Sequence, residues 1–224
     1  ATFLVLDGRQ YRSPLACDMP PRGGAKQVVD AECKERLDPR RSYLGKGQEA
    51  WLYREFQRAP ARWNILAMQQ LMAEFKERLP SGEISYWSED WNGYPAARTR
   101  LLRQVAETRL ANPVVLGGDI HSFWANDLKL DFDDPEAAVI ASEFITSSVT
   151  SDGPSHKKFT AWAADNPHVR FFDSRKRGYA IAELHPERLE VAFRAVANVR
   201  DPETGVSTLR RFAVENGRPG PRLA

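Results

Sequence analysis

The chain has 224 residues, 42% of them hydrophobic, enough for one substantial core and without a composition shift that would force a second domain. Its 32 basic and 30 acidic residues leave a formal charge of +2, too balanced for the broad cationic surface that nonspecific nucleic-acid binding needs. The longest apolar runs, at 3–6 and 137–141, fall far short of the roughly 20 residues that span a bilayer, so no membrane span is expected.

In chain order, Thr2 Phe3 Leu4 Val5 Leu6 is continuously apolar, the pattern of a strand buried on both faces of an α/β sheet. Such a strand needs neighbours on both sides, which leads to the expectation that partner strands lie upstream of residue 1; no charged and apolar leader is read there. Arg9 and Arg12 follow the strand, where open α/β sheets bind ligands and where a guanidinium fork matches two phosphate oxygens. A structural ion pair of Asp7 with Arg9 is the competing reading. Cys17 and Cys33 are the only cysteines and flank Met19 Pro20 Pro21 Arg22 Gly23 Gly24, an exposed loop by composition. An even count on one loop favours a disulfide, worth roughly 3 kcal/mol for a loop of about this length, and export from the cytoplasm. Two free thiols in a cytosolic protein are the alternative.

Residues 48–59 carry Trp51, Leu52 and Phe56 at helical spacing, with Pro60 as the stop. A strand is expected at 63–68 and a short helix at 69–79. Pro95 suits the first helical position of a segment with Leu101, Leu102, Val105, Ala106 and Leu110 on one stripe, closed by Asn112 Pro113. This alternation predicts a layered α/β fold with crossover connections. Beyond Ile140, period-two patterns at 168–173, 178–184, 188–199 and 207–214, with a hairpin-like link at 184–189, predict antiparallel strands and a mixed sheet. Residues 216–224, with Gly and Pro, read as a loosely held tail.

At the centre, Pro113 Val114 Val115 Leu116 breaks into Gly117 Gly118 Asp119 Ile120 His121. Asp and His at i and i+2 on an extended backbone lie on one side of it, as two metal ligands require. A carboxylate oxygen and an imidazole nitrogen suit iron, zinc or manganese and, at the carboxylate, calcium. A catalytic metal takes three or more protein ligands, so the pair is half a site. The alternative is a capping Asp beside a surface His. Trp91 Asn92 Gly93 Tyr94 Pro95 forms an aromatic-rich loop whose Trp91 and Tyr94 either hold an organic leaving group or pack in the core. His156 reads as a loop histidine rather than a ligand, and neither a Walker-type loop nor a Gly-x-Ser-x-Gly elbow occurs.

Five stretches in order resemble the carboxyl-terminal half of PhoD-like alkaline phosphatases over roughly residues 1–155. They are Leu6 Asp7 Gly8 Arg9 Gln10 Tyr11 Arg12; Tyr43 Leu44 Gly45 with Gln48 Glu49 Ala50 Trp51 Leu52; Trp91 Asn92 Gly93 Tyr94 Pro95 with Arg98; Val115 to His121; and Glu143 Phe144 with Thr146 Ser147 Ser148 Val149 Thr150 Ser151. The resemblance implies half of a four-layer α/β/β/α metallophosphoesterase-like fold, with residues 1–224 as the carboxyl-terminal half of a single catalytic domain and the amino-terminal half absent. It implies hydrolysis of phosphate monoesters and diesters, of alkaline phosphatase or phospholipase D type, with ferric iron and calcium as the metals. Asp119 and His121 would be ligands, Arg9 would lie near the phosphate, and Trp91 and Tyr94 near the substrate. The family's remaining ligands, a cysteine and Asp-x-x-Tyr and Asp-Asp-His elements, belong to its amino-terminal half; Cys17 sits in the wrong motif to replace that cysteine. Paired cysteines in the first long loop occur in exported members, which implies a periplasmic or extracellular location for a bonded Cys17 and Cys33. The alternative is a noncatalytic fragment that completes a sheet with a partner chain.

Overall fold

Parallel strands joined by crossovers open the main sheet in the computed structural model, which describes residues 1–18, 23–58 and 61–224. The expected loop residues 19–22 and the helix stop at Pro60 lie outside the described residues. Strand β1 (Thr2–Val5) is followed by β2 (Gln27–Val29), a 3-10 turn at Lys34–Leu37 and helix α1 (Lys46–Arg58). Then come β3 (Asn64–Ala67), β4 (Glu77–Arg78), β5 (Ile84–Trp87), helix α2 (Pro95–Glu107), β6 (Pro113–Gly117), β7 (Phe123–Lys129) and β8 (Val139–Ile145). Helix α3 (His156–Trp162) precedes β9 (Val169–Asp173), β10 (Gly178–Leu184), β11 (Arg188–Val196), β12 (Val206–Glu215) and β13 (Arg218–Leu223).

The six-stranded sheet has the order β1-β3-β6-β8-β7-β9. Its first four strands run parallel, and β7 is antiparallel to both β8 and β9. A four-stranded antiparallel sheet, β10-β11-β12-β13, packs on one face, and a three-stranded sheet, β2-β5-β4, stands to the side. Strand alternation divides the apolar side chains between two cores. Leu4, Leu66, Val115, Trp124 and Ile145 face Leu52 and Phe56 of α1, Leu101, Leu102 and Val105 of α2, and Trp162 of α3. Ile65, Val114, Phe123, Ala125 and Phe144 face Val191, Phe193, Phe212 and Val214 of the second sheet. The result is helices, sheet and sheet, three layers of the expected order; among the described residues no helix covers the outer face of β10–β13. The mixed α/β class and the antiparallel C-terminal strands agree with the sequence reading.

Three expectations are qualified. Within this chain β1 is an edge strand buried on one face: Leu4 joins the helix-side core, but Phe3 and Val5 are 57% and 73% exposed because the core between the two sheets does not reach them. Residues 69–79 are not helical. Their backbone N–H groups are taken by side chains of distant segments, Met72 and Ala73 by Glu143, Phe75 by Asn92 and Lys76 by Asn166, which pulls the segment into a loop ending in β4. The tail at 216–224 is not loose. Asn216-Gly217 turns the chain into β13, with Gly217 at φ +74°, and Gly220 N–H donates to Ser142 Oγ at 2.8 Å.

A candidate metal centre at the end of β6

Gly117 ends β6, and Gly118 N–H donates to the Gln69 carbonyl at 3.1 Å. The chain then turns instead of staying extended: Ile120 N–H donates to the Gly118 carbonyl, with φ +71° at Asp119 and +55° at His121. Left-handed backbone costs a non-glycine residue about 1–2 kcal/mol and persists only where its surroundings hold it. Here it brings both side chains to the lining of one cleft of about 690 Å³.

The Asp119 carboxylate is held from two sides. Gln70 Nε2 donates to Oδ2 at 2.8 Å, and the Tyr43 hydroxyl donates to Gln70 Oε1 at 2.7 Å, which fixes which end of the amide faces Asp119. Arg9 Nη2 reaches Asp119 Oδ1 at 3.5 Å, and its Nη1 pairs with Glu89. Arg12 steadies Glu89 through the Glu89 carbonyl at 2.9 Å. Asp7 does not pair with Arg9. Its carboxylate accepts the backbone N–H groups of Gln10 and Arg9, which hold its pKa below the usual range and shape the turn that presents the guanidinium. Gln48 and Gln69 pin the same turn through the backbone of Asp7 and Gly8.

His121 Nδ1 lies 3.0 Å from the Asp152 carbonyl. A carbonyl only accepts, so Nδ1 carries a proton, and of the two neutral tautomers this contact selects the one whose Nε2 lone pair is open to a metal. A carboxylate and a neutral imidazole on one cleft fit a metal ion. They do not complete a coordination sphere, and among the described residues no group of three or more His, Cys, Asp and Glu side chains could hold one.

Trp91 and Tyr94 do not reach the cleft, contrary to the substrate contact expected of them. They are 0% and 1% exposed, packed on Tyr43 with ring centroids 4.1 and 5.4 Å away, and Tyr94 donates its hydroxyl proton to the Ser13 carbonyl. They support the floor beneath Gln70, and the aromatic side chain that this region gives the cleft is Trp87. His156 opens α3 and stacks on Phe172, apart from the ligand pair. Cys17 and Cys33 are disulfide-bonded around a small apolar cluster with Ala16 and Val28. On the cleft wall, burial pushes Asp90 up to about 7 although Asn92 N–H donates to it. Sequence reasoning missed Gln70, Glu89, Asp152 and Arg177, which belong to no motif.

A model of the PhoD-like phosphatase family matches residues 1–193. Alkaline phosphatase D of Bacillus subtilis (strain 168) is similar at 34% identity over 225 residues, covering 99% of this chain and 37% of the relative. The solved structure of PhoD superposes with a TM-score of 0.85 at 32% identity, over 99% of this chain and 41% of that one. The chain therefore spans well under half the length of these relatives. Sequence and layered fold lead to one assignment: the chain belongs to the PhoD-like phosphatase family.

Proposed function

We propose that the complete polypeptide hydrolyses phosphate monoesters and diesters at a metal centre to which this chain contributes Asp119 and His121. The observation that carries the reading is that both side chains line one cleft, with the Arg9 guanidinium against Asp119. Metals bound there, iron and calcium in this reading, would draw charge from phosphoryl oxygens and lower the pKa of an attacking water. Asp119 is pre-oriented by Gln70, and His121 presents Nε2. Arg9, half-exposed at the mouth, supplies paired N–H donors where charge gathers on the equatorial oxygens. Trp87 walls the space for the ester's organic group.

In this reading residues 1–224 are the carboxyl-terminal half of one catalytic domain, and the other ligands come from sequence outside it. Two observations support that. The relatives are far longer than the chain, and apolar side chains stand exposed on an edge strand of each sheet, Phe3 and Val5 on β1 and Tyr179 and Ile181 on β10. The disulfide supports a periplasmic or extracellular location. Among the described residues no helix is long and apolar enough to cross a membrane.

In the complete polypeptide, Asp119→Ala or His121→Ala is expected to abolish hydrolysis of an aryl phosphate ester and to lower bound metal. Retained turnover with normal metal content would sink the assignment. The exposed apolar side chains on these edge strands also favour a second reading, a noncatalytic fragment that completes a sheet with a partner chain. It expects little iron on the purified chain and no hydrolysis until the partner is added.

A further inference from the structure

We propose that Arg177 is the positioning residue that sets His121 in its metal-facing orientation, an inference that rests on reading His121 as a ligand. Arg177 precedes β10 and is 8% exposed. Its Nη1 donates to the His121 carbonyl at 2.8 Å, to the Ser151 carbonyl at 2.8 Å and to Ser148 Oγ at 3.1 Å, while Nη2 donates to the Ser174 carbonyl. One planar fork thus ties the ligand turn to the 148–153 loop and to the link between β9 and β10. The two carbonyls on Nη1 matter together. Holding His121 O fixes the backbone from which the imidazole projects, and holding Ser151 O fixes the neighbour of Asp152, whose carbonyl takes the Nδ1 proton. Arg177 therefore sets both the base of the ring and its acceptor, which leaves Nε2 one direction to face.

Two further observations point to the same node. His121 sits at φ +55°, a conformation that must be held from outside. Gly153 leaves no space there: a Cβ on it would lie 2.6 Å from Arg177 Nη2, 2.7 Å from the His121 carbonyl and 2.7 Å from the Ser174 carbonyl. The packing admits a guanidinium and excludes even a methyl group. Lysine, a single ammonium without a planar fork, would not reproduce a geometry in which two nitrogens of one plane serve different segments.

The first test is the His121 tautomer, read from 15N-edited imidazole spectra of the 224-residue chain at about pH 8. The parent chain is expected to show one Nδ1–H form and Arg177→Gln a mixture of both tautomers. Arg170→Gln, which breaks an ion pair with Asp127 away from the cleft, serves as the control for lost stability and should leave the tautomer unchanged. Should Arg177→Gln fail to fold, Gly153→Ala crowds the same atoms and is expected to disturb the same signal. In the complete polypeptide, Mn²⁺ affinity followed by electron paramagnetic resonance should fall about 10–100-fold in Arg177→Gln, the usual effect of losing an outer-shell partner. A single unchanged tautomer in the variant that folds, or an affinity loss no larger than in Arg170→Gln, overturns the proposal. If His121→Ala leaves Mn²⁺ affinity intact, the ligand reading fails instead, and the tautomer comparison still judges Arg177.

Discussion

Arg9 is the residue of the proposed site whose replacement should separate chemistry from folding most cleanly. Its side chain is 43% exposed and its partners Glu89 and Asp119 lie at the cleft mouth, so its ion pairs contribute under about 1 kcal/mol to stability. Arg9→Lys keeps the charge and loses the fork. In the complete polypeptide it is expected to lower kcat/KM for an aryl phosphate about 10–100-fold, with a melting temperature within about 2 °C of the parent, as steady-state kinetics and calorimetry would show. An equal fall in stability and activity would assign Arg9 to the scaffold. That Arg9, Asp119 and His121 lie at strand ends was legible in the sequence because strand ends carry their own signal, an apolar run that stops in glycine or Asp-Gly. Gln70 and Arg177 were not. Gln70 meets Asp119 across 49 positions and Arg177 meets His121 across 56, and nothing in the composition of either neighbourhood marks the encounter. Trp91 and Tyr94 misled for a related reason: an aromatic cluster before a helix looks the same whether it lines a cleft or supports its floor.

Two of the misread elements, the 69–79 loop and β7, owe their structure to polar partners that only distant segments supply. Residues 69–79 have helical composition, yet Glu143, buried on β8, takes the N–H groups of Met72 at 2.6 Å and Ala73 at 3.1 Å together with the Asn126 amide at 2.8 Å. β7 escaped notice because Asn126, Asp127 and Lys129 interrupt its apolar pattern, although all seven of its residues are buried. Each polar group there finds a partner that only the fold supplies: Asn126 has Glu143, Asp127 has Arg170, and Lys129 has the Pro135 carbonyl. Glu143→Ala would strand three donors in the core and is expected to cost about 3–5 kcal/mol in urea unfolding. β13 did carry a signal, Asn-Gly between two strand-like runs, which its prolines masked. Gly217→Ala forces a Cβ onto φ +74° and should cost about 1–2 kcal/mol by the same measurement.

Across the whole molecule, buried ionisable groups give stability a pH dependence with opposing parts. Burial pushes Glu143 up from 4.5 to about 7 and Asp90 up from 3.8 to about 7. Between those values the unfolded chain has already released protons that the folded chain retains, so stability falls as pH rises from about 4 to about 7. His168 runs the other way. Burial lowers it from 6.5 to about 4 while its Nε2 faces the Glu74 carbonyl, so the unfolded chain takes up the proton first and stability rises with pH across that interval. Glu143→Gln should therefore reduce the loss of unfolding free energy between pH 4.5 and 7 by the order of 3 kcal/mol, read from urea titrations at each pH. An identical slope would mean that Glu143 does not retain its proton in the folded chain. The neutral carboxyl has an acceptor ready if the Asn126 amide turns, because Asn126 Oδ1 has no partner. The disulfide reaches further than its own loop. β2, the outer strand of the three-stranded sheet, begins inside the bridged segment, and its Gln27 stands opposite Trp87, the aromatic wall of the cleft. Treating the chain with a thiol reductant is expected to speed amide hydrogen exchange in β2 and at Trp87 while leaving β6 protected. Maturation would then be ordered in space. Were the proposed ester hydrolysis and export both to hold, the pocket would acquire its final wall only after leaving a cytoplasm crowded with nucleotides and phosphorylated metabolites, so that secretion itself would act as the safety catch.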